Sequence, residues 1–266
     1  PILHIDAFTR EPFGGNPAAV CLMEGPREAE WMQRVAAEMN LSETAFVWPR
    51  ERGGGFDLRW FTPEIEIPLC GHATLASAHA LWETGLLDEG EEARFETMSG
   101  PLTCRELDGR IEMDFPALMS IEAKLPRGAK KALGVVPEAV RLHRRANGTD
   151  GNYLIELATE ADVREAKPDF GALRGFDAGF IITARGESGR DFVSRYFAGF
   201  AGIDEDPVTG SAHCMLTPYW AEKLGKAEMS AYQASKRGGE IGVRMNGDRV
   251  TLIGGAVTVL RGTLAC

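Results

Sequence analysis

Cys70-Gly71-His72-Ala73-Thr74 and, much later in the chain, Thr209-Gly210-Ser211-Ala212-His213 are two versions of one device. Each follows a strand-like run and opens an apolar helical segment. Each therefore sets backbone N–H groups and a small polar side chain at a helix N-terminus, where an anion is favoured. The repetition widens on both sides. Leu58-Arg59-Trp60-Phe61 upstream of the first copy is matched by Ser194-Arg195-Tyr196-Phe197 upstream of the second. Downstream, Leu107-Asp108-Gly109-Arg110-Ile111 is echoed by Met245-Asn246-Gly247-Asp248-Arg249-Val250, apolar runs broken by hairpin signals. The pairs are offset by roughly 140 residues, a domain-sized period rather than a solenoid period. The expectation is two similarly built halves. Residues 1–116 carry the helix from Gly71 and 117–266 the helix from Gly210, with the last strand free to return to the first half. In the cleft between them both helix ends would face one carboxylate substrate.

The segment from Gly71 to about Thr84 is Ala, Leu, His and Trp with hardly a charge, so it is wrapped on most sides. A helix enclosed by strands predicts an α+β fold in which each half is a barrel-like sheet around a central helix. The second helix, from Gly210 through Trp220 to Leu224, is similarly apolar in its first turns, and Pro218 within it predicts a kink. Elsewhere, Ile2–Phe8 reads as a strand that runs into Arg10-Glu11-Pro12-Phe13-Gly14-Gly15-Asn16-Pro17, a turn-rich loop able to approach a ligand closely. Pro26–Met39 has the spacing of an amphipathic helix. Ser42 and Glu43 stand where a loop enters the apolar, β-branched run that ends at Val47. Lys130–Gly134, Asp162–Lys167 and Asp169–Leu173 read as short helices, and Tyr153–Leu157, Phe180–Thr183 and Phe192–Phe197 as strands. Pro116–Leu125 is the expected crossing between halves.

Composition narrows the function. The chain has 266 residues, 44% hydrophobic and 26% charged, enough for two compact domains with real cores. A net charge of −10 without a long Lys/Arg cluster argues against nucleic acid or an anionic membrane as partner. No apolar run approaches the ~20 residues of a membrane span, and Pro-Ile-Leu-His-Ile-Asp lacks the layout of a signal peptide, so a cytoplasmic location is expected. The five cysteines, Cys21, Cys70, Cys104, Cys214 and Cys266, are scattered without a Cys-x-x-Cys spacing, which indicates neither a disulfide framework nor a zinc site.

Familiar catalytic patterns are missing: no dinucleotide fingerprint after a strand, no phosphate-binding loop, no nucleophile elbow around Ser211, no His-Glu-x-x-His. Gly53-Gly54-Gly55 reads as a turn. His72 and His79 could share a helix face, but without a third ligand at sensible spacing His79 is read as a core histidine and no metal is expected. What remains beside the helix starts is a proton-transfer set: Glu43, His72, Asp206 and Ser211. A carboxylate withdrawn from solvent becomes harder to ionise, which makes it a competent base and then a competent acid. Glu43 suits that task, His72 can relay or donate a proton, and Asp206 can orient its partners. Spacing alone equally permits a surface strand residue at Glu43, a cap or turn former at Asp206 and an ordinary first-turn residue at Ser211. Asn16, Ser42, Gly71, Thr209 and Gly210 are the expected substrate-binding residues.

Asp6-Ala7-Phe8-Thr9 with Pro12-Phe13-Gly14-Gly15-Asn16-Pro17-Ala18-Ala19-Val20, Leu41-Ser42-Glu43-Thr44-Ala45-Phe46, Phe61-Thr62-Pro63 with Leu69-Cys70-Gly71-His72-Ala73-Thr74, and Glu205-Asp206-Pro207-Val208-Thr209-Gly210-Ser211-Ala212 together resemble the PhzF-like (phenazine biosynthesis-like) proteins. The resemblance covers essentially the whole chain. It implies the diaminopimelate epimerase-like fold, a homodimer, and cofactor-free isomerase chemistry in which Glu43 moves a proton and His72, Asp206 and Ser211 assist. The type member isomerises trans-2,3-dihydro-3-hydroxyanthranilate, and many relatives do not share that substrate. Epimerases of the wider superfamily place one cysteine before each helix start. Here the first position is Cys70 but the second is Thr209, whose hydroxyl is too weak an acid to pair with a thiolate, so two-cysteine epimerisation is not expected. The alternatives are a one-base racemase using Glu43 or Cys70 with His72, and a metabolite-binding protein that has lost turnover.

Overall fold

In the computed structural model, which describes residues 1–51 and 53–265, the chain divides into two units, Pro1–Phe115 with Ile253–Cys266, and Pro116–Leu252. The first unit contains β1 (Ile2–Ala7), β2 (Asn16–Leu22), α1 (Ala29–Met39), β3 (Glu43–Pro49), β4 (Phe56–Phe61), β5 (Glu66–Ile67), α2 (Gly71–Glu83), β6 (Ala93–Thr97), β7 (Gly100–Leu107) and β8 (Arg110–Pro116). β2 and β3 are parallel. Parallel strands are covered on both faces and read as continuous apolar runs, and Ala18–Leu22 and Thr44–Trp48 are indeed buried throughout. β1 lies antiparallel outside β2 and β4 antiparallel outside β3; β4 then pairs antiparallel with β5 and parallel with β6, from which β7 and β8 meander.

α1 begins at Ala29, three residues after the Pro26 expected to open it, because Glu28 is still extended (φ −60°, ψ 139°). It ends where Asn40 turns left-handed at φ 50°. Its buried face, Met32, Val35 and Ala36, packs with Ile2, Ala19, Cys21, Phe46 and Phe61. α2 is covered nearly all round: His72 through Ala78, Ala80 and Leu81 are buried, against β1, β2 and β3. Its two buried hydroxyls are satisfied within the helix, Thr74 Oγ1 donating to the Cys70 carbonyl and Ser77 Oγ to that of Ala73. His79 is not a core residue. It is half-buried, with Nε2 3.2 Å from Thr258 Oγ1 and 3.9 Å from Glu83 Oε2, because its turn of α2 faces the polar side chains of Thr258 and Glu83 at the edge of the enclosed stretch. Gly53, Gly54 and Gly55 form the turn between β3 and β4 and all have positive φ.

The second unit contains β9 (Ile121–Glu122), α3 (Ala129–Leu133), β10 (Ala139–Arg144), β11 (Asp150–Glu156), α4 (Glu160–Glu165), α5 (Phe170–Leu173), β12 (Gly179–Arg185), β13 (Phe192–Ala198), β14 (Ile203–Asp206), α6 (Gly210–Leu224), β15 (Glu228–Gln233), β16 (Gly239–Asn246) and most of β17 (Arg249–Gly254). Its internal pairings repeat the order of the first: β10–β11 antiparallel, β11–β12 parallel, β12–β13 and β13–β14 antiparallel, β13–β15 parallel, β15–β16 antiparallel. The last strand, β18 (Ala256–Gly262), belongs to the first unit and lies antiparallel to β1. Both units are thus α+β with one enclosed helix.

Pro218 sits inside α6 without ending it. A proline has no N–H for the carbonyl four residues back, here that of Cys214. Leu118 N donates to this carbonyl at 3.0 Å instead. Cys21, Cys70, Cys104 and Cys214 are buried free thiols; Cys266 lies outside the described residues. No helix among the described residues is long and apolar enough to cross a membrane.

Candidate active site

Three local features deliver side chains to one point in the first unit. The loop after β1 turns back through Gly15, whose φ of 61° and close approach exclude a side chain: a Cβ there would stand 2.0 Å from the Ala7 carbonyl oxygen. Asn16 follows as the first residue of β2. Glu43, with Ser42 just before it, opens β3 beside Ala18 of β2. His72 is the second residue of α2, and Cys70 is its extended N-cap (φ −145°, ψ 111°). Asn16, Glu43, Cys70 and His72 are all at least nine-tenths buried.

His72 Nε2 lies 3.1 Å from Glu43 Oε2. The two atoms are off the line of a hydrogen bond, and both are buried without a hydrogen-bond partner. Their contact is therefore electrostatic, and each keeps its bonding capacity for a third group. On the other side of the ring, Asn16 Nδ2 is 3.1 Å and Cys70 Sγ 3.5 Å from Nδ1, while Ser42 Oγ donates to Asn16 Oδ1 at 3.2 Å. This arrangement suits the imidazole protonated on Nε2. When both ring nitrogens carry protons, Asn16 turns its amide to offer oxygen to Nδ1 and NH₂ to Ser42, whose hydroxyl serves as donor or acceptor.

Burial works against charge on His72, but Cys70 and Glu43 beside it outweigh burial and hold its pKa well above the ordinary 6.5. Burial and the Glu43 charge push the Cys70 thiol up. The pair of Glu43 and His72 consists of a proton acceptor and a proton donor, side by side, in a setting of low dielectric where each acts strongly on a bound molecule.

The second unit gathers a different set. Asp206 ends β14, and its Oδ2 accepts from Thr209 Oγ1. Gln233, at the end of β15 and fully buried, accepts from Thr209 N at 2.9 Å and donates to the Asp206 carbonyl at 2.7 Å. Neither Cys70 nor Thr209 accepts a side-chain capping bond from its helix. Gly210 is buried and Ser211 is exposed at the first turn of α6. His213 is fully buried, stacks on Phe192 and bonds the Thr209 carbonyl through Nδ1; burial brings its pKa down to about 4.

Of the residues expected from the sequence, the structure brings Asn16, Ser42, Glu43 and His72 together beside Gly71, and Asp206 and Thr209 together beside Gly210. Sequence reasoning missed Gln233, which carries no motif, and a matched pair of clamps. Arg59 of β4 binds Glu66 of β5 bidentately at 2.6 and 2.7 Å, and Arg195 of β13 binds Glu205 of β14 at 2.7 and 2.9 Å. Each guanidinium also covers the phenylalanine two residues on, Phe61 or Phe197. These clamps fix the strand that leads into each helix start. Glu66 and Glu205 share the offset of Gly71 and Gly210, a signal that was available in the sequence.

Comparison with known proteins places this geometry. Residues 5–262 match the PhzC-PhzF family, phenazine biosynthesis-like protein. The chain is 48% identical over 267 residues to an uncharacterized isomerase of Halalkalibacterium halodurans, covering 99% of this chain and 98% of that protein. The crystal structure of a PhzF-family phenazine biosynthesis protein of Enterococcus faecalis is 40% identical with a TM-score of 0.91, covering 98% of this chain and 97% of that one. At 12% identity, a structure of a probable proline racemase from Agrobacterium radiobacter shares the fold alone, with a TM-score of 0.67 over 99% of this chain and 92% of that one. With strand order, paired helix starts and a match along nearly its entire length, the chain belongs to the phenazine biosynthesis-like (PhzF) family, on a diaminopimelate epimerase-like fold.

Proposed function

We propose that this protein is a cofactor-independent isomerase that moves a proton within a small carboxylate substrate, with Glu43 as the acid/base. The observation that carries the reading is the buried pair Glu43 Oε2 and His72 Nε2, 3.1 Å apart and both without a hydrogen-bond partner. An unpaired buried polar atom costs about 1–3 kcal/mol, and two of opposite character held together are accounted for by a ligand that satisfies both. In the proposed step a substrate C–H bond breaks, its proton passes to the Glu43 carboxylate, and the electron pair enters the substrate's own unsaturation. Glu43 then returns the proton to a different carbon, so the enzyme ends as it began. His72, whose proton is retained by the adjacent carboxylate, donates a hydrogen bond to a substrate oxygen and keeps that proton throughout.

The family resemblance supplies the rest of the proposal: assisting roles for Asp206 and Ser211, binding contacts from Asn16, Ser42, Gly71, Thr209 and Gly210, and activity similar to trans-2,3-dihydro-3-hydroxyanthranilate isomerase. A homodimer and a cytoplasmic location belong to the same reading. The thiol of Cys70, raised by burial, disfavours the racemase in which Cys70 is the base.

Incubation of the protein with small hydroxy- and amino-substituted acids in D₂O, read by mass spectrometry and NMR, tests the reading. Deuterium entering a product of new connectivity is the expected result. Deuterium in an inverted but otherwise unchanged substrate makes the protein a racemase, and a ligand bound without exchange makes it a binding protein.

A further inference from the structure

Glu43, Cys70 and His72 each offer one donor atom, and these three lie within 4.8 Å of one another in a buried setting. They are a carboxylate oxygen, a sulfur and an imidazole nitrogen, the donor types of a three-ligand zinc centre with an open fourth position. The spacing also fits. Two ligands at ~2.0–2.1 Å from one tetrahedral ion stand about 3.3 Å apart, against 3.1 Å between Glu43 Oε2 and His72 Nε2. Both atoms are buried without a hydrogen-bond partner, so an ion displaces no existing hydrogen bond of theirs. Cys70 Sγ, 3.5 Å from the ring at Nδ1, lies within 4.8 Å of a Glu43 carboxylate oxygen. Asn16, held in turn by Ser42, anchors the ring nitrogen that does not coordinate, the outer support that metal-binding histidines commonly have.

We propose that Glu43, Cys70 and His72 form a site for a soft divalent cation, Zn²⁺ in first place, whose occupation takes the lone pairs that Glu43 and His72 would present to a substrate. Coordination forms Zn–S, Zn–N and Zn–O bonds. The thiol proton, and the proton of the coordinating ring nitrogen, pass to solvent, and nothing is oxidised or reduced. The proposal concerns binding alone and holds whatever reaction the protein performs. If the proton-transfer reading is also right, Zn²⁺ is a reversible inhibitor competitive with substrate.

The test uses the whole reduced protein, freed of metal, and Co²⁺ as a spectroscopic stand-in. Titration should give one equivalent of bound Co²⁺ with a thiolate-to-cobalt charge-transfer band and the intense visible bands of tetrahedral coordination, bleached by one equivalent of Zn²⁺. Cys70→Ser should remove the charge-transfer band. Glu43→Gln should weaken Zn²⁺ by more than the roughly 10–100-fold that loss of an outer-shell partner costs, with thermal melting to establish that both variants fold. Absence of the band in the native protein, or its survival in Cys70→Ser, overturns the proposal, as does unchanged Zn²⁺ affinity in Glu43→Gln. Deuterium exchange on a substrate by the metal-free enzyme is a separate readout, so the two proposals fail independently.

Discussion

The starts of α2 and α6 are built to one plan and filled with opposite chemistry. Both follow an extended N-cap, both are approached by a strand clamped through a bidentate arginine, and both begin with glycine. At α2 the neighbouring polar atoms are left unsatisfied: Glu43 Oε2 and His72 Nε2 face each other without a hydrogen bond. At α6 Gln233 joins Thr209 to Asp206 through hydrogen bonds, and the buried atom left without a partner among the described residues is the lone His213 Nε2, with no carboxylate facing it in an ion pair. A shared scaffold therefore does not confer a shared role. In the proposed function the α2 end carries the proton transfer and the α6 end assists it.

The largest expected effect separates the two ends directly. Glu43→Gln keeps shape and hydrogen bonding but removes basicity, and should lower turnover by about two to four orders of magnitude with ligand affinity nearly kept. Asp206→Asn should lower it less. Steady-state rates and calorimetric affinities on the same substrate check both, and comparable losses would abolish the distinction between a reactive and a supporting end.

Acid and alkali should act on the two ends in opposite senses. His213, with its pKa depressed to about 4 from the ordinary 6.5, binds a proton more readily in the unfolded chain. Stability should therefore fall as pH drops from 6.5 toward 4, by about 3 kcal/mol at most. His72 has the reverse sign: its folded pKa is raised, so its contribution is full below 6.5 and is lost as pH rises through the folded value. Urea unfolding across pH should show His213→Gln flattening the acid limb and His72→Gln the alkaline limb. The same limb altered by both variants would mean that these sites are not electrostatically distinct.

Gln233→Leu sharpens the comparison from the structural side. It leaves the buried Thr209 N–H without the Gln233 acceptor and removes the amide bond to the Asp206 carbonyl, and should cost about 1–3 kcal/mol, seen as a lower melting temperature. A neutral outcome would show that water replaces the amide and that these hydrogen bonds are dispensable.

Much of this was legible in the sequence. The apolar, nearly uncharged compositions of α2 and α6 announced enclosed helices, and the turn residues before Asn16 and the polar pair Ser42-Glu43 stood out against the buried runs around them. Glu43 and His72 were legible as chemistry because no apolar strand end or helix start requires those residues. Gln233 was not, since an amide at a strand end has no local signature and its partners lie 24 and 27 residues away. The late start of α1 escaped because Pro26 suits a first helical turn, while the exposed Glu28 is still extended and its conformation leaves no mark in the sequence. His79 was misplaced because helical spacing gives a face but not the depth at which that face lies.

The hydrogen bond from Leu118 to the Cys214 carbonyl bears on how this chain folds. Pro218 leaves α6 one bond short, so the helix cannot complete its own ladder by local growth. The missing donor arrives from a residue far earlier in the sequence, in the segment that opens the second unit. Completion of α6 is thereby tied to the docking of that segment, which converts a local helix–coil equilibrium into a cooperative tertiary event.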